Sequence, residues 1–249
     1  HNLLAANFPG PVFPVNPAAR DVQSVAAYPS ATAIPGEVDL AVVAVPRPHV
    51  REVIEDCGKK GVRCVIVITA GFAEMGAAGV AEQAALRDRV RELGMRMVGP
   101  NCLGALNTDD AVRLDATFAR SWPPRGNVSF CSQSGALGLA VLDYARSLGI
   151  GIRHFLSVGN KADVSTNDLI DYWEQDEGTR VILLYVESFG NPRKFLEIAR
   201  RVTRKKPIVA LKSGRSAAGA RAASSHTGAL AGGDAAASAL LEQAGVVRV

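Results

Sequence analysis

The chain has 249 residues, 48% of them hydrophobic and 21% charged, a balance that excludes a disordered or fibrous protein. No apolar run reaches the roughly 18 residues that cross a bilayer, and no signal-like segment is evident; Cys57, Cys64, Cys102 and Cys131 form no C-x-x-C pair, which argues against a disulfide framework or a zinc site. A cytoplasmic protein with no membrane association and no metal site is therefore expected. The formal charge is +4, carried after Trp122. Much of that excess is Arg193, Lys194, Arg200, Arg201, Arg204, Lys205 and Lys206 around one helix, with no interleaved aromatic residues, so a nucleic-acid partner is not indicated.

Residues 1–8 read as the end of a helix, closed by Pro9-Gly10, with no strand before it. An α/β nucleotide domain normally opens with a strand and a glycine-rich turn, so the first strand and its turn are expected to be missing. Residues 12–15 read as a short strand. Residues 39–45 form a near-continuous apolar run, the pattern of a strand covered on both faces. Pro46-Arg47-Pro48 ends it, and Pro48 suits the first turn of a helix whose inner face is Val50, Val53, Ile54 and Cys57. A second buried strand over 62–69 leads to Ala70-Gly71-Phe72, and a charged helix follows to Leu93-Gly94. Met95 to Val98 then precedes the loop Gly99-Pro100-Asn101-Cys102-Leu103-Gly104. Strands and helices alternating over short connections imply parallel pairing with right-handed crossovers, and such sheets bind ligands beyond the carboxyl ends of their strands. The loops after Val45, Thr69 and Val98 lie there.

Trp122-Pro123-Pro124-Arg125-Gly126 marks the expected boundary between a domain at 1–122 and one at 123–249. The alternation then restarts: a strand over 127–131, a helix over 134–148 with Leu137, Val141, Leu142 and Tyr144 to Ala145 inward, and a strand over 153–158. A helix capped by Thr166 or Ser165, a strand over 180–186, a helix after Asn191-Pro192, a strand over 207–211, a helix after Asp234 and a last strand over 246–249 complete it. Between the first strand and helix of this half, Ser132-Gln133-Ser134-Gly135 is a ready anion site, because a helix N-terminus presents unpaired N–H groups and a partial positive charge. Glu187 follows the strand 181–186 and could orient an imidazole. His226 lies in Ser224-Ser225-His226-Thr227-Gly228-Ala229-Leu230-Ala231-Gly232, among residues small enough to let a large reactant approach its ring. These features together suit a nucleophilic histidine that carries a phosphoryl group; for His226 alone, a surface-loop histidine is the plainer alternative.

The order of Val45-Pro46, Thr69-Ala70-Gly71-Phe72, Gly99-Pro100-Asn101-Cys102-Leu103-Gly104, Ser132-Gln133-Ser134-Gly135-Ala136-Leu137-Gly138, Ser157-Val158-Gly159-Asn160-Lys161-Ala162-Asp163, Tyr185-Val186-Glu187, Ala210-Leu211-Lys212-Ser213-Gly214 and Ser224-Ser225-His226-Thr227-Gly228-Ala229-Leu230-Ala231-Gly232 resembles the nucleoside-diphosphate-forming acyl-CoA synthetases over nearly the whole chain. The wording is closer to the ADP-forming acetyl-CoA synthetase type than to succinyl-CoA synthetase. The resemblance implies a Rossmann-like CoA-binding domain followed by a flavodoxin-like ligase domain. It makes His226 the phosphorylated residue, Glu187 its orienting carboxylate and the turn of Ser132, Gln133, Ser134 and Gly135 the phosphate site. Val45, Pro46, Arg47, Thr69, Ala70, Gly71, Phe72, Asn101 and Cys102 would line CoA, with Asn101 and Cys102 at the thiol end. It further implies acyl-CoA and phosphate as reactants, ATP or ADP with Mg2+ supplied by an ATP-grasp domain or β subunit, and an oligomeric assembly; this segment by itself is expected to turn nothing over.

Three other readings are weighed against this one. Ser134, Glu187 and His226 follow the chain order of an α/β-hydrolase triad, but the G-x-S-x-G elbow is absent. A similar two-domain module serving as an acyl-CoA sensor beside a lysine acetyltransferase would bind CoA without phosphorylating His226. A dehydrogenase needs a glycine-rich turn that the chain lacks.

Overall fold

The computed structural model describes residues 1–214 and 233–249. The segment containing His226 lies outside the described residues. Two sheets, one parallel and one mixed, organise the rest. In the first, β3 (Leu40–Val43), β4 (Cys64–Val67) and β5 (Arg96–Val98) pair in that order, with α2 (Arg47–Lys60) and α3 (Ala77–Glu92) as the crossovers. Pro46 is the N-cap of α2 and Pro48 sits in its first turn, where a missing N–H costs nothing. Val50, Ile54 and Cys57 of α2 are buried with Val43, Val65, Val67, Phe72, Val90 and Met97 as one core. Before this sheet lie a short helix α1 (Asn2–Ala5) and a two-stranded antiparallel pair, β1 (Asp21–Val22) with β2 (Val25–Ala26). Residues 12–15 do not form the expected strand; Val15 makes a single bridge to Tyr28. Pro14 supplies no N–H to a ladder, and Asn16-Pro17 follow at once.

The second sheet has seven strands in the order β12-β11-β10-β8-β9-β6-β7. Its parallel part comprises β8 (Arg125–Ser132), β9 (Ile152–Ser157), β10 (Val181–Val186), β11 (Ile208–Lys212) and β12 (Val247–Arg248). On it pack α4 (Gly135–Ser147), α5 (Thr166–Gln175), α6 (Pro192–Val202) and α7 (Asp234–Gln243). The antiparallel hairpin β6 (Gly104–Asn107) and β7 (Leu114–Thr117) adds to the edge of β9. This hairpin precedes Trp122, so the division between sheets does not coincide with the expected division of the chain there. Where the hairpin joins, Cys102, Ala105 and Ala116 pack with Ile66 and Val98 of the first sheet, which ties the two sheets through an apolar seam.

Helix starts follow the local chemistry. The Ser134 hydroxyl accepts from Leu137 N at 3.3 Å, Ser165 and Asp168 form a reciprocal capping box on α5, and Asn191 caps α6 ahead of Pro192. The inner face of α4 is Gly138, Leu142 and Ala145, whereas Tyr144, expected inward, is 66% exposed. Gly138 decides the face: a Cβ there would fall 2.7 Å from Phe155 Cζ, so the helix lies directly on that ring. Burying Leu142 and Phe155 at this contact contributes about 1.5–3 kcal/mol for each side chain. Of the basic residues in and just after α6, Lys194 pairs with Asp168, Arg201 with Asp171 and Glu174, and Lys205 with Glu174.

Candidate functional site

The loops after β3, β4 and β5 lie side by side. Thr69 Oγ1 donates to Val45 O at 2.6 Å, and Asn101 N donates to Thr69 O at 3.0 Å. Arg47 is paired with Glu82 of α3, and its guanidinium lies 6.0 Å from the centre of the Phe72 ring. Phe72 itself is buried, while Pro46 and Ala70 are exposed. Gly71 N donates to Glu74 Oε1 at 2.5 Å. This donor and the Asn160 amide hold the Glu74 carboxyl below its ordinary range, against burial, which alone would raise it. Val45, Thr69, Gly71 and Asn101 thus share one rim, at the carboxyl ends of the strands, where an open parallel sheet takes its ligand. Cys102 turns the other way: it is buried, its thiol donates to Val67 O at 3.3 Å, and burial pushes its pKa up to about 12. Its side chain is therefore a neutral core group, not a nucleophile.

At the start of α4, Ser132 Oγ donates to Ser134 O at 2.6 Å and accepts from Ser134 N at 3.2 Å. Gln133 N is bonded to Tyr185 O at 3.2 Å, and Leu137 N to the capping Ser134 hydroxyl. The backbone N–H groups of Gly135 and Ala136 have no hydrogen-bond partner among the described residues. The anion-seeking donors are thus the first two of the helix, and Ala136 joins the candidate residues for a positional reason: the cap consumes the third donor. Ser134, in its extended conformation with its hydroxyl used as a cap, does not form a nucleophile elbow.

The Gln133 side chain is turned inward. Its Oε1 accepts from Lys161 Nζ at 3.1 Å, Glu187 N at 3.0 Å and Ser188 N at 2.9 Å, and its Nε2 donates to Ser188 O at 2.8 Å and Thr166 Oγ1 at 3.3 Å. The backbone beneath Glu187 is therefore fixed by the turn that begins α4. Lys161 completes the arrangement, donating to Ser188 Oγ at 2.5 Å and to Ser188 O. Burial pushes the Lys161 ammonium down to about 8, with Cys131 and Glu187 opposing and Lys212 assisting. A cavity of about 360 Å³ opens beside Glu187, edged by Phe189, Pro192, Lys212 and Leu240.

One loop, between β9 and α5, joins the two halves. Asn160 N donates to Pro100 O at 2.9 Å and its amide reaches Asn101, Glu74 and Gln83, while the adjacent Lys161 reaches Gln133 and Ser188. Asp163 accepts from Arg91, Arg96 and Met97 N, so the loop is anchored to the first sheet. Gly159 makes the closest approach; a Cβ there would lie 2.3 Å from Asn101 O, and its φ of +51° favours glycine. Asn160, Lys161 and Asp163 stand in a segment whose sequence marks a family without revealing what each side chain touches. Among the described residues no three His, Cys, Asp or Glu side chains group to hold a metal ion, and no helix is long and apolar enough to cross a membrane.

Comparison with known proteins agrees with this architecture. Residues 1–108 match the profile described as a CoA binding domain, and residues 125–249 match the succinyl-CoA ligase like flavodoxin domain. The chain is 45% identical over 238 residues to the α subunit of an ADP-forming acetate–CoA ligase II of Pyrococcus furiosus, covering 96% of this chain and 51% of that protein. It is 43% identical over 242 residues to an ADP-forming acetate–CoA ligase of Methanocaldococcus jannaschii, covering 97% of this chain and 34% of that protein. A solved structure, the dinucleotide-forming acetyl-coenzyme A synthetase 1 of Ca. Korarchaeum cryptofilum in complex with phosphate and ADP, superposes with a TM-score of 0.94 at 44% identity, covering 100% of this chain and 53% of that one. The chain thus spans between about a third and a half of the length of these relatives. An ATP citrate lyase of Methanothrix soehngenii, at 18% identity, shares the fold. With both domain profiles matched in order, the chain belongs to the nucleoside-diphosphate-forming acyl-CoA synthetase family, as a CoA-binding domain joined to a succinyl-CoA ligase-like flavodoxin domain.

Proposed function

We propose that this chain is the CoA-binding and phosphohistidine-bearing part of an ADP-forming acyl-CoA synthetase of the acetyl-CoA type. Acyl-CoA, phosphate and ADP are interconverted with acid, CoA and ATP. The observation that carries this reading is the meeting of the two candidate subsites: a Cβ built on Gly135, at the start of α4, would lie 3.6 Å from Leu103 Cβ, next to Asn101 and Cys102. The loop assigned to the thiol end of CoA therefore borders the helix N-terminus assigned to phosphate.

That adjacency suits the chemistry. Phosphate held by the N–H groups of Gly135 and Ala136 attacks the thioester carbonyl, the tetrahedral oxyanion collapses, and the C–S bond breaks to give an acyl phosphate and CoA thiolate. The neutral imidazole of His226 then attacks phosphorus, the P–O bond to the acyl group breaks, and the carboxylate leaves. Glu187 fixes the imidazole tautomer. Val45, Pro46, Arg47, Thr69, Ala70, Gly71, Phe72 and Asn101 would hold CoA, with Cys102 shaping the loop from beneath. An ATP-grasp domain or β subunit would supply ADP, Mg2+ and the acceptor site for the phosphoryl group, in a cytoplasmic oligomer.

The test is His226→Ala in the complete protein with its ATP-grasp part. ATP synthesis from acetyl-CoA, ADP and phosphate is expected to vanish while CoA binding persists; a variant that still makes ATP overturns the reading.

A further inference from the structure

We propose that Ser157 is a phosphate-binding residue, its hydroxyl donating to the anion held at the N-terminus of α4; this rests on the phosphate site proposed above. Ser157 ends β9, where it stands between Ser132 of β8 and Gly104 of β6 in the sheet. It shares a face of the strand with Phe155, whose ring lies against Gly138 of α4, so its side chain projects toward the first turn of that helix. The residue is 0% exposed, and Ser157 Oγ has no hydrogen-bond partner among the described residues. A buried hydroxyl left without a partner costs free energy, and such groups are found paired in folded proteins.

The neighbourhood says what this partner is. The other serine hydroxyls at this turn are committed, Ser132 to the Ser134 backbone and Ser134 to Leu137 N. Ser157 Oγ lies 3.9 Å from the position a Cβ would take on Gly135, and Leu103 N lies 3.7 Å from that same point. A side chain at 135 would thus meet ordinary contacts on every side. The start of α4, with the N–H groups of Gly135 and Ala136, thus lies beside the Ser157 hydroxyl and the Leu103 backbone. Two helix N–H groups and a hydroxyl donor, with no carboxylate among them, match the oxygens of inorganic phosphate or of the phosphoryl end of an acyl phosphate.

Two substitutions test this in the complete protein, each followed by calorimetric titration with inorganic phosphate, by steady-state kinetics and by thermal unfolding. Ser157→Ala is expected to weaken phosphate binding and raise the phosphate KM by about 10- to 100-fold, the loss expected for one hydrogen bond to a charged ligand. The KM for CoA should stay unchanged and the unfolding midpoint should not fall, since the hydroxyl makes no internal bond. Gly135→Ala, which adds a methyl beside the Ser157 hydroxyl at a helical position, is expected to abolish phosphate binding without loss of stability. Phosphate affinity and KM within twofold of wild type in Ser157→Ala would overturn the proposal. So would equal weakening toward all substrates with a lowered midpoint, or a wild-type protein that binds no phosphate. Because titration needs no turnover, a wild-type protein that binds phosphate through Ser157 yet makes no ATP would retain this assignment and discard the synthetase reading.

Discussion

Lys161 Nζ donates to Gln133 Oε1 at 3.1 Å, and through that one oxygen the loop after β9 is coupled to the backbone of Glu187 and Ser188, which donate to it at 3.0 and 2.9 Å. Three strand ends are thereby held to one amide. Any displacement of Gln133 moves the carboxylate assigned to orient His226.

Lys161→Met removes the ammonium and its bonds to Gln133 Oε1 and Ser188; Gln133 Oε1 keeps Glu187 N and Ser188 N, and Ser188 O keeps Gln133 Nε2, so the loss is that of charge-assisted bonds, about 1.5–3 kcal/mol, with no acceptor left bare. The variant should lower the rate of His226 phosphorylation by roughly tenfold, measured by single-turnover labelling, with CoA affinity retained. The pH profile separates positioning from folding. With its pKa near 8, Lys161 loses a proton, and with it one of three donors, as pH rises through 8; wild-type activity should decline there and the variant should lack that limb. Stability runs the opposite way. The unfolded lysine titrates near 10.4, so between about 8 and 10.4 the unfolded chain binds more protons, and this group's contribution to stability rises with pH.

Asp163 is the anchor between the two sheets, and its side chain is 0% exposed while Arg91 and Arg96 are about half exposed. Burial alone would raise its pKa, but Arg96, Met97 N–H and Arg91 hold it below the usual carboxylate range. Asp163→Asn keeps the volume and removes the charge. It should cost about 2–3 kcal/mol, below the full penalty for breaking a buried pair because the arginines remain hydrated. Denaturant unfolding at pH 7 checks this. The carboxylate's contribution is present above its unfolded pKa near 3.9 and is lost as pH falls below that value, so the difference between wild type and variant should shrink there.

His154, at the opposite end of β9, stacks on Trp173 at 6.3 Å, and its Nδ1 lies 3.0 Å from Ser129 Oγ. Burial pushes its pKa down to about 4; Asp176 opposes this and Arg153 assists. The folded state therefore keeps a neutral imidazole while the unfolded chain protonates near 6.5. Stability should fall as pH drops from about 6.5 to 4, and His154→Gln should flatten that part of the curve of unfolding free energy against pH.

The alternation of buried strands with amphipathic helices was legible without coordinates, because continuous apolar runs and helical periodicity are local properties of the chain. So was a cap at Thr166 or Ser165, which the structure assigns to Ser165, since a short polar side chain bonds a backbone N–H two or three residues on; the caps at Ser134 and Asn191 emerge from the structure. The ordered motifs likewise pointed to the CoA-binding and ligase-like domains. Tertiary structure decided which sheet receives the hairpin at Gly104–Asn107 and Leu114–Thr117, because an edge strand chooses its partner by packing at the seam with Ile66 and Val98. It also decided that Gln133 faces inward, that Cys102 is a core thiol, and that Ser157, Asn160 and Lys161 converge on the site. Lys161 meets Gln133 across 28 residues and Asn160 meets Glu74 across 86. Such contacts exist only once parallel strands bring their carboxyl ends to a common rim, and no local pattern in the chain encodes that convergence.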